Sequence, residues 1–316
     1  MIVNGVDLDG MTPQMPEHNF PSVVPGRVVH IDADFLAYMV SYEKIDQIIE
    51  LPDMQHNCKV AVEKMRLMAG AESVHLHLTP GTSDKGDRYN IAIQKEYQGN
   101  RKDKPKPAKL HIMRDYMGKA FPATLHINCE ADDGMSSAQY AAIATRQAPL
   151  SIICSKDKDL NMVPGLHLDW DTGEITYPTN AIGKPDSYGS IYLDDSKSSK
   201  KIKGFGQKFF WSQMLTGDTA DNIQGIPKVC VDGKWKATGP VMAEYLLINV
   251  NSNKEAFQGV KNLYEDYGRS IGFKHWATGE NVPWQKVLIS EMQLLWMRRD
   301  KHNPNCVLQW LKEINV

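Results

Sequence analysis

The chain has 316 residues, of which 42% are apolar and 23% charged, with a formal net charge of −2. This composition excludes a disordered or fibrous chain, and at about 150 residues per domain it predicts two domains. No uninterrupted apolar run approaches the ~18 residues a membrane-spanning helix needs, so none is expected.

Residues 1–26 hold four prolines and little periodicity, and are read as an extended arm. Short apolar runs follow at 27–31 (RVVHI), 73–78 (SVHLHL), 123–127 (ATLHI) and 150–154 (LSIIC). Their β-branched, alternating character predicts strands. Between them, 58–70 carries an apolar stripe closed by a glycine, and 131–147 opens with acids and continues Ala-rich. Both predict helices. Strands alternating with helices imply a mostly parallel sheet in an α/β core over 27–190. Residues 166–178 read as a hairpin. Residues 196–208 are a basic, Ser/Gly-rich connector. Helical stretches are expected at 209–218, 241–248, 253–267 and 285–299, forming a second domain over 191–316. Trp211, Trp276 and Trp296 are expected in its core.

Charge is unevenly spread. From Arg88 to Lys119 there are nine Lys or Arg against three Asp or Glu, a local net of +6. Such asymmetry on an otherwise acidic body predicts an electrostatic footprint for nucleic acid. Pro105 and Pro107 forbid one continuous helix there.

The carboxylates are placed to converge. Asp32 and Asp34 follow the first strand, Glu130, Asp132 and Asp133 the third, and Asp157 and Asp159 the fourth. Loops after parallel strands leave the same sheet edge, where ligands bind. Asp218 and Asp221 share a helix face if their stretch is helical. A cluster of like charges opposes its own ionisation unless cations resolve the conflict. Hard oxygen donors without Cys or His suit two Mg²⁺ or Mn²⁺ ions, which together can clamp a phosphodiester. Asp34 can equally cap the following helix, and Asp133 can serve the helix dipole.

In this order the motifs resemble the 5′-nuclease superfamily of flap endonucleases and 5′–3′ exonucleases, in particular its podovirus-type phage exonucleases. HIDADFLAY is similar to the first metal motif, EYQGNRK (96–102) to a YKxNRK segment and CEADD to E-A-D-D. CSKDKDL is similar to S-x-D-x-D and GDTADNIQGIP (217–227) to G-D-x-x-D-N-I-x-G. The resemblance spans about residues 27–248. It implies a PIN-like nuclease core, a basic arch over 88–119 and a helix–three-turn–helix DNA-binding domain, with K⁺ as a further cofactor of that motif. Implied for the first ion are Asp32, Glu130, Asp132 and Asp133, and for the second Asp157, Asp159, Asp218 and Asp221. Lys95, Arg101 and Lys102 are the candidates to neutralise the scissile phosphate. Arg88, Tyr97, Asn100 and Lys104 in the arch, and Gly225, Ile226, Lys228 and Gly239 in the helical motif, are implied to meet DNA.

Three departures stand out. Gln98 replaces the family's lysine after the tyrosine. The second strand ends at Thr79–Gly81 rather than at an acid. Residues 230–237 are inserted with an Asp-Gly turn. The implied activity is metal-dependent 5′–3′ exodeoxyribonuclease with flap endonuclease and RNA-primer-removing character, acting in phage replication and recombination on duplex ends, nicks, flaps or RNA–DNA hybrids. Two other readings remain open. One is a haloacid-dehalogenase-type phosphatase with Asp32 as nucleophile, and the other is a non-catalytic DNA-binding module. Five widely spaced cysteines with no CxxC pair predict neither zinc site nor disulfide framework. With no secretory signal expected, a monomer in the (host bacterial) cytoplasm is the expectation.

Overall fold

A computed structural model describes residues 2–3, 6–7, 20–43, 48–177, 188–196 and 198–316. Most of the expected N-terminal arm lies outside the described residues. Within it, β1 (Ile2–Val3) pairs antiparallel with β2 (Val6–Asp7).

The core sheet begins with β3 (Val24–Asp32), followed by α1 (Ala33–Ser41), α2 (Leu51–Met68) and β4 (Ala71–Leu78). Next come α3 (Arg88–Ile91), α4 (Leu110–Ala120), β5 (Ala123–Leu125), α5 (Ala131–Ala144), β6 (Ser151–Cys154), β7 (Leu166–Leu168) and β8 (Ile175–Thr176). These strands form one six-stranded sheet in the order β5-β4-β3-β6-β7-β8. Every pairing is parallel except β7 with β8, the hairpin expected from the sequence. The chain is therefore α/β with a mostly parallel central sheet.

Strand alternation sends side chains to two cores. Val29, Ile31, Ile152 and Cys154 join the apolar cluster with α1, α2 and α4. Ile153 faces the opposite cluster, with Met135 of α5 and the helices of the second half. The period-2 pattern of β6 thus joins both halves to one sheet. His30, His77 and His126 form a hydrogen-bonded row across the sheet (3.0 and 2.9 Å). A Cβ on Gly134 of α5 would lie 2.2 Å from His126, so glycine there lets α5 settle onto the row.

The second half starts with a hairpin of β9 (Ser190–Asp194) and β10 (Lys201–Phe205), where the sequence suggested a bare connector. It continues with α6 (Gln207–Thr216), the hairpin β11 (Lys228–Val231) and β12 (Lys234–Ala237), α7 (Pro240–Leu247) and α8 (Asn253–Ser270). The short pair β13 (Phe273–Lys274) and β14 (Asn281–Val282), α9 (Trp284–Leu295) and α10 (Cys306–Glu313) complete it. The β11–β12 hairpin occupies the insertion, turning at Asp232 and Gly233, both at positive φ. Trp211, Trp296 and Trp310 are buried together around Phe210. Trp276, expected in this core, is instead 43% exposed. No helix among the described residues is long and apolar enough to cross a membrane.

Candidate metal centre

The strand ends deliver the carboxylates as their spacing required. Asp32 ends β3, and its Oδ1 caps α1 by accepting the Phe35 amide (3.1 Å) while Oδ2 accepts the Ser155 hydroxyl (2.9 Å). Glu130 is the N-cap of α5, and Asp132 lies in that helix's first turn. Asp157 and Asp159 follow β6, where the Asp157 carboxylate accepts the Asp159 amide (2.8 Å). Asp218 and Asp221 follow α6 in a loop closed by the Asp218–Ile223 bridge, not on a helix face. Glu130, Asp132, Asp157, Asp159 and Asp221 line one cleft with Arg88 and Tyr97. Asp159, Asp218 and Asp221 each offer an oxygen within 4.8 Å of the others.

The electrostatics bind these groups into one unit. Burial, then repulsion from Asp157, Asp32 and Glu130, holds Asp132 well above the usual carboxylate range. No hydrogen-bond donor reaches Asp132 among the described residues. Burial raises Asp32 and Asp157 to about 6 each, with nearby carboxylates adding to the rise. Burial and Asp157 raise Asp159 to about 8. Asp221 is raised by burial and by Glu130. An all-oxygen donor set that resists its own ionisation fits hard divalent cations.

Besides Arg88, which pairs with Glu130 (3.1 Å), three cations answer part of this charge. Lys158 bridges Asp159 (2.6 Å) and Asp218 (3.1 Å). Arg101 pairs with Asp221 (2.7 Å). Lys85, which the sequence reading passed over, lies 3.4 Å from Glu130.

Several predicted residues have other roles. Asp133 is fully buried; its carboxylate takes two bonds from Arg88 (2.8 and 3.0 Å) and the amides of Arg298 and Glu130. We reassign it from metal ligand to anchor of the α5 N-terminus. Its pKa is lowered, because the Arg88 charge overcomes the cost of burial. Arg88 is 1% exposed and engaged by Asp133 and Glu130, so it is no phosphate contact in this conformation. Tyr97 is likewise buried and donates its hydroxyl to Glu130 (2.6 Å), so it orients a carboxylate rather than offering a stacking face.

The arch residues divide. Lys102 pairs with Glu96, away from the cleft, and Lys95 is exposed without a bond to the cluster. Lys104 is exposed in the loop before α4. Asn100 donates to the Thr219 carbonyl (2.7 Å), and Gln98 donates to Asp221 (2.8 Å). This segment is therefore stitched to the loop carrying Asp218 and Asp221. At the second strand end, Thr79 donates its amide to Asp34 (3.0 Å) and accepts the Ala131 amide (2.9 Å). Asp34 also pairs with Arg114 (3.0 Å).

In the helical half, Gly225 and Ile226 are buried. The Gly225 amide donates to Glu291 (3.0 Å) and that of Ile226 to the Leu215 carbonyl (3.2 Å), so neither amide is free for a phosphate. Lys228 is exposed, and Gly239, the N-cap of α7, has open space where a Cβ would stand.

No protein-family model and no curated protein matches the sequence. Solved structures do match. The zinc-bound 5′-exonuclease of bacteriophage T5 superposes with a TM-score of 0.53 at 12% identity, over 91% of this chain and 98% of that one. A bacteriophage T5 flap endonuclease in a pseudo-enzyme–product complex with DNA and metal ions gives 0.53 at 12%, over 91% and 97%. The chain shares the fold of these two T5 proteins. Because nearly the whole of each chain is covered, that fold includes both the sheet and the helical half. At this identity the likeness concerns architecture, and the chemistry rests on the residues placed above.

Proposed function

We propose that the chain is a divalent-metal-dependent 5′–3′ exodeoxyribonuclease with flap endonuclease character, hydrolysing phosphodiesters to 5′-phosphate products. The observation that carries this reading is one cleft holding Glu130, Asp132, Asp157, Asp159 and Asp221, with Asp218 within 4.8 Å of Asp159 and Asp221 and Asp32 close enough to repel Asp132. Asp32, Glu130, Asp132 and Asp157 would hold one Mg²⁺ or Mn²⁺ ion, and Asp159, Asp218 and Asp221 a second. Bound there, such ions stabilise charge on phosphate oxygens and activate water at neutral pH. Tyr97 orients Glu130, while Arg88 and Asp133 fix the first turn of α5 that presents it. Gln98 and Arg101 hold Asp221. The exposed Lys102, Lys104 and Lys106 would receive backbone phosphates beyond the cleft, as would Lys228 and the α7 N-terminus at Gly239. The two T5 structures, one with DNA and metal ions, support this reading. Primer removal and recombination in phage replication are the setting it fits, and K⁺ in the helical motif belongs to the same proposal.

The test uses 5′-labelled duplex and 5′-flap DNA with wild-type protein in Mg²⁺, in EDTA, and with an Asp157→Asn variant. Short labelled products from wild type in Mg²⁺ alone support the reading. No cleavage in Mg²⁺ or Mn²⁺ at low salt overturns it, and phosphate release from a monoester would then favour the phosphatase.

A further inference from the structure

We propose that Lys85 is the residue whose cation meets the scissile phosphate, taking over at Gln98 the charge that the resembling motif carries at that position. This inference rests on the nuclease reading and names a catalytic residue for it.

The first observation is geometric. The Lys85 ammonium donates to the Gln98 side-chain carbonyl and lies 3.4 Å from Glu130. Gln98 in turn donates to Asp221. The position after Tyr97 is thus occupied by an amide that receives an ammonium from another segment. Glutamine there restores no charge, but its carbonyl fixes the charge Lys85 brings.

The second observation is the backbone of the loop that carries Lys85. Lys85, Gly86 and Asp87 have consecutive positive φ values of 52°, 70° and 65°, and Gln98 has 53°. Non-glycine residues rarely adopt this backbone, and strained conformations persist only where surroundings enforce them. Here the surroundings do. The Gly86 amide donates to Asp84 (2.8 Å) and the Gly86 carbonyl accepts from Arg298 (2.8 Å). The Lys85 amide donates to the Ser83 hydroxyl (3.1 Å), and the Asp84 amide to the Ile127 carbonyl (3.0 Å). A Cβ on Gly86 would fall 2.1 Å from the Arg298 guanidinium, so the turn is packed shut from behind. A loop bent this way at several successive residues, and bonded from two sides, holds the Lys85 ammonium against Gln98 and against Glu130, which lines the cleft. Fixed charge directed at a reacting group is what transition-state stabilisation requires.

The third observation is elimination. Arg88 is engaged at full burial, Lys95 and Lys102 make no bond to the acidic cluster, and Lys158 is bonded to two of the carboxylates, Asp159 and Asp218, where Lys85 lies 3.4 Å from one, Glu130. Arg101 pairs with Asp221 at 2.7 Å, the residue to which Gln98 also donates. Lys85 is partly exposed beside Glu130, with 23% of its side chain accessible.

The experiment measures single-turnover cleavage of a 5′-flap substrate by wild type, Lys85→Ala, Lys85→Arg and the double variant Lys85→Ala with Gln98→Lys. Mn²⁺ binding without DNA is measured on the same proteins. The inference expects Lys85→Ala to slow cleavage about 100-fold, the scale seen for loss of one transition-state donor. Lys85→Arg should stay within about tenfold of wild type, and Gln98→Lys should recover at least about tenfold of the loss. Mn²⁺ affinity of Lys85→Ala should equal or exceed that of wild type. Unimpaired cleavage by Lys85→Ala overturns the inference. So does weakened Mn²⁺ binding without rescue by Gln98→Lys, which would mean that Lys85 only orders Glu130. Failure of wild type itself to cleave would overturn the nuclease reading, and this inference with it.

Discussion

Replacing Asp32 with asparagine should stabilise the metal-free protein while removing cleavage. The substitution is nearly isosteric. The amide oxygen can still accept the Phe35 amide that caps α1, and the amide nitrogen can donate to Ser155. What disappears is the buried charge. Burial, reinforced by Asp34, lifts the Asp32 carboxyl from 3.8 to about 6. At about 1.4 kcal/mol per pH unit, that shift costs the ionised folded state ~3 kcal/mol. The folded-state pKa lies above the unfolded one, so between pH 4 and 6 the folded protein binds more protons than the unfolded chain. Stability therefore falls as pH rises through that window, and the penalty stays above it. Wild type and Asp32→Asn should melt together near pH 4. At pH 8 in EDTA the variant should be more stable by ~2–3 kcal/mol, or about 5 °C in Tm. Added Mg²⁺ should raise the wild-type Tm and close the gap, because binding to the folded state alone stabilises it. A variant no more stable than wild type at pH 8 in EDTA would refute the view that burial and repulsion together penalise the charge of Asp32 until a cation arrives.

Other substitutions probe the supports. Arg88→Met leaves Asp133 charged, fully buried and without its main partner, and should cost ~3–5 kcal/mol in urea unfolding. The double variant with Asp133→Asn should recover part of that loss, and a cost for Arg88→Met below ~1 kcal/mol would contradict the anchor role. Lys158→Ala removes the ammonium that bridges Asp159 and Asp218. It should tighten Mn²⁺ binding about fivefold by calorimetry, the equivalent of ~1 kcal/mol for a half-exposed ion pair. Unchanged or weaker binding would show that Lys158 does not compete with a metal ion. Gly225→Ala places a methyl at positive φ (66°), 2.3 Å from the Gly217 backbone nitrogen. Strain against backbone atoms should cost more than ~2 kcal/mol, seen as a lowered denaturation midpoint.

The sequence made the sheet and its acidic edge legible because both follow from short-range pattern. Alternating runs such as VVHI, each followed by carboxylates, specify strands and the edge at which their loops emerge. Burial was the property it could not report. Arg88 and Tyr97 read as DNA contacts because they sit beside a basic run, yet both turn inward to Glu130 and Asp133. Asp133 read as a ligand because it stands beside Asp132, but one helical step of 100° takes it to the buried face. The β9–β10 hairpin escaped because its residues are Lys- and Ser-rich. Lys85 escaped because it precedes the basic stretch and reaches Gln98 across the fold. Its one local signal was the glycine at position 86 between charged neighbours. The absent acid at the second strand end became intelligible only when Thr79 was found bonded to Asp34 and to α5.

The most direct test of the central claim is the polarity and metal dependence of cleavage. A duplex with a 5′ flap, labelled in separate preparations at the 5′ and the 3′ end of the flap strand, is incubated with wild-type protein in Mg²⁺ and in EDTA. The account predicts that the 5′ label is released first as short fragments, that the 3′-labelled strand is shortened from its far end, and that EDTA stops both. Fragments released first from the 3′ label, or cleavage that persists in EDTA, would contradict it.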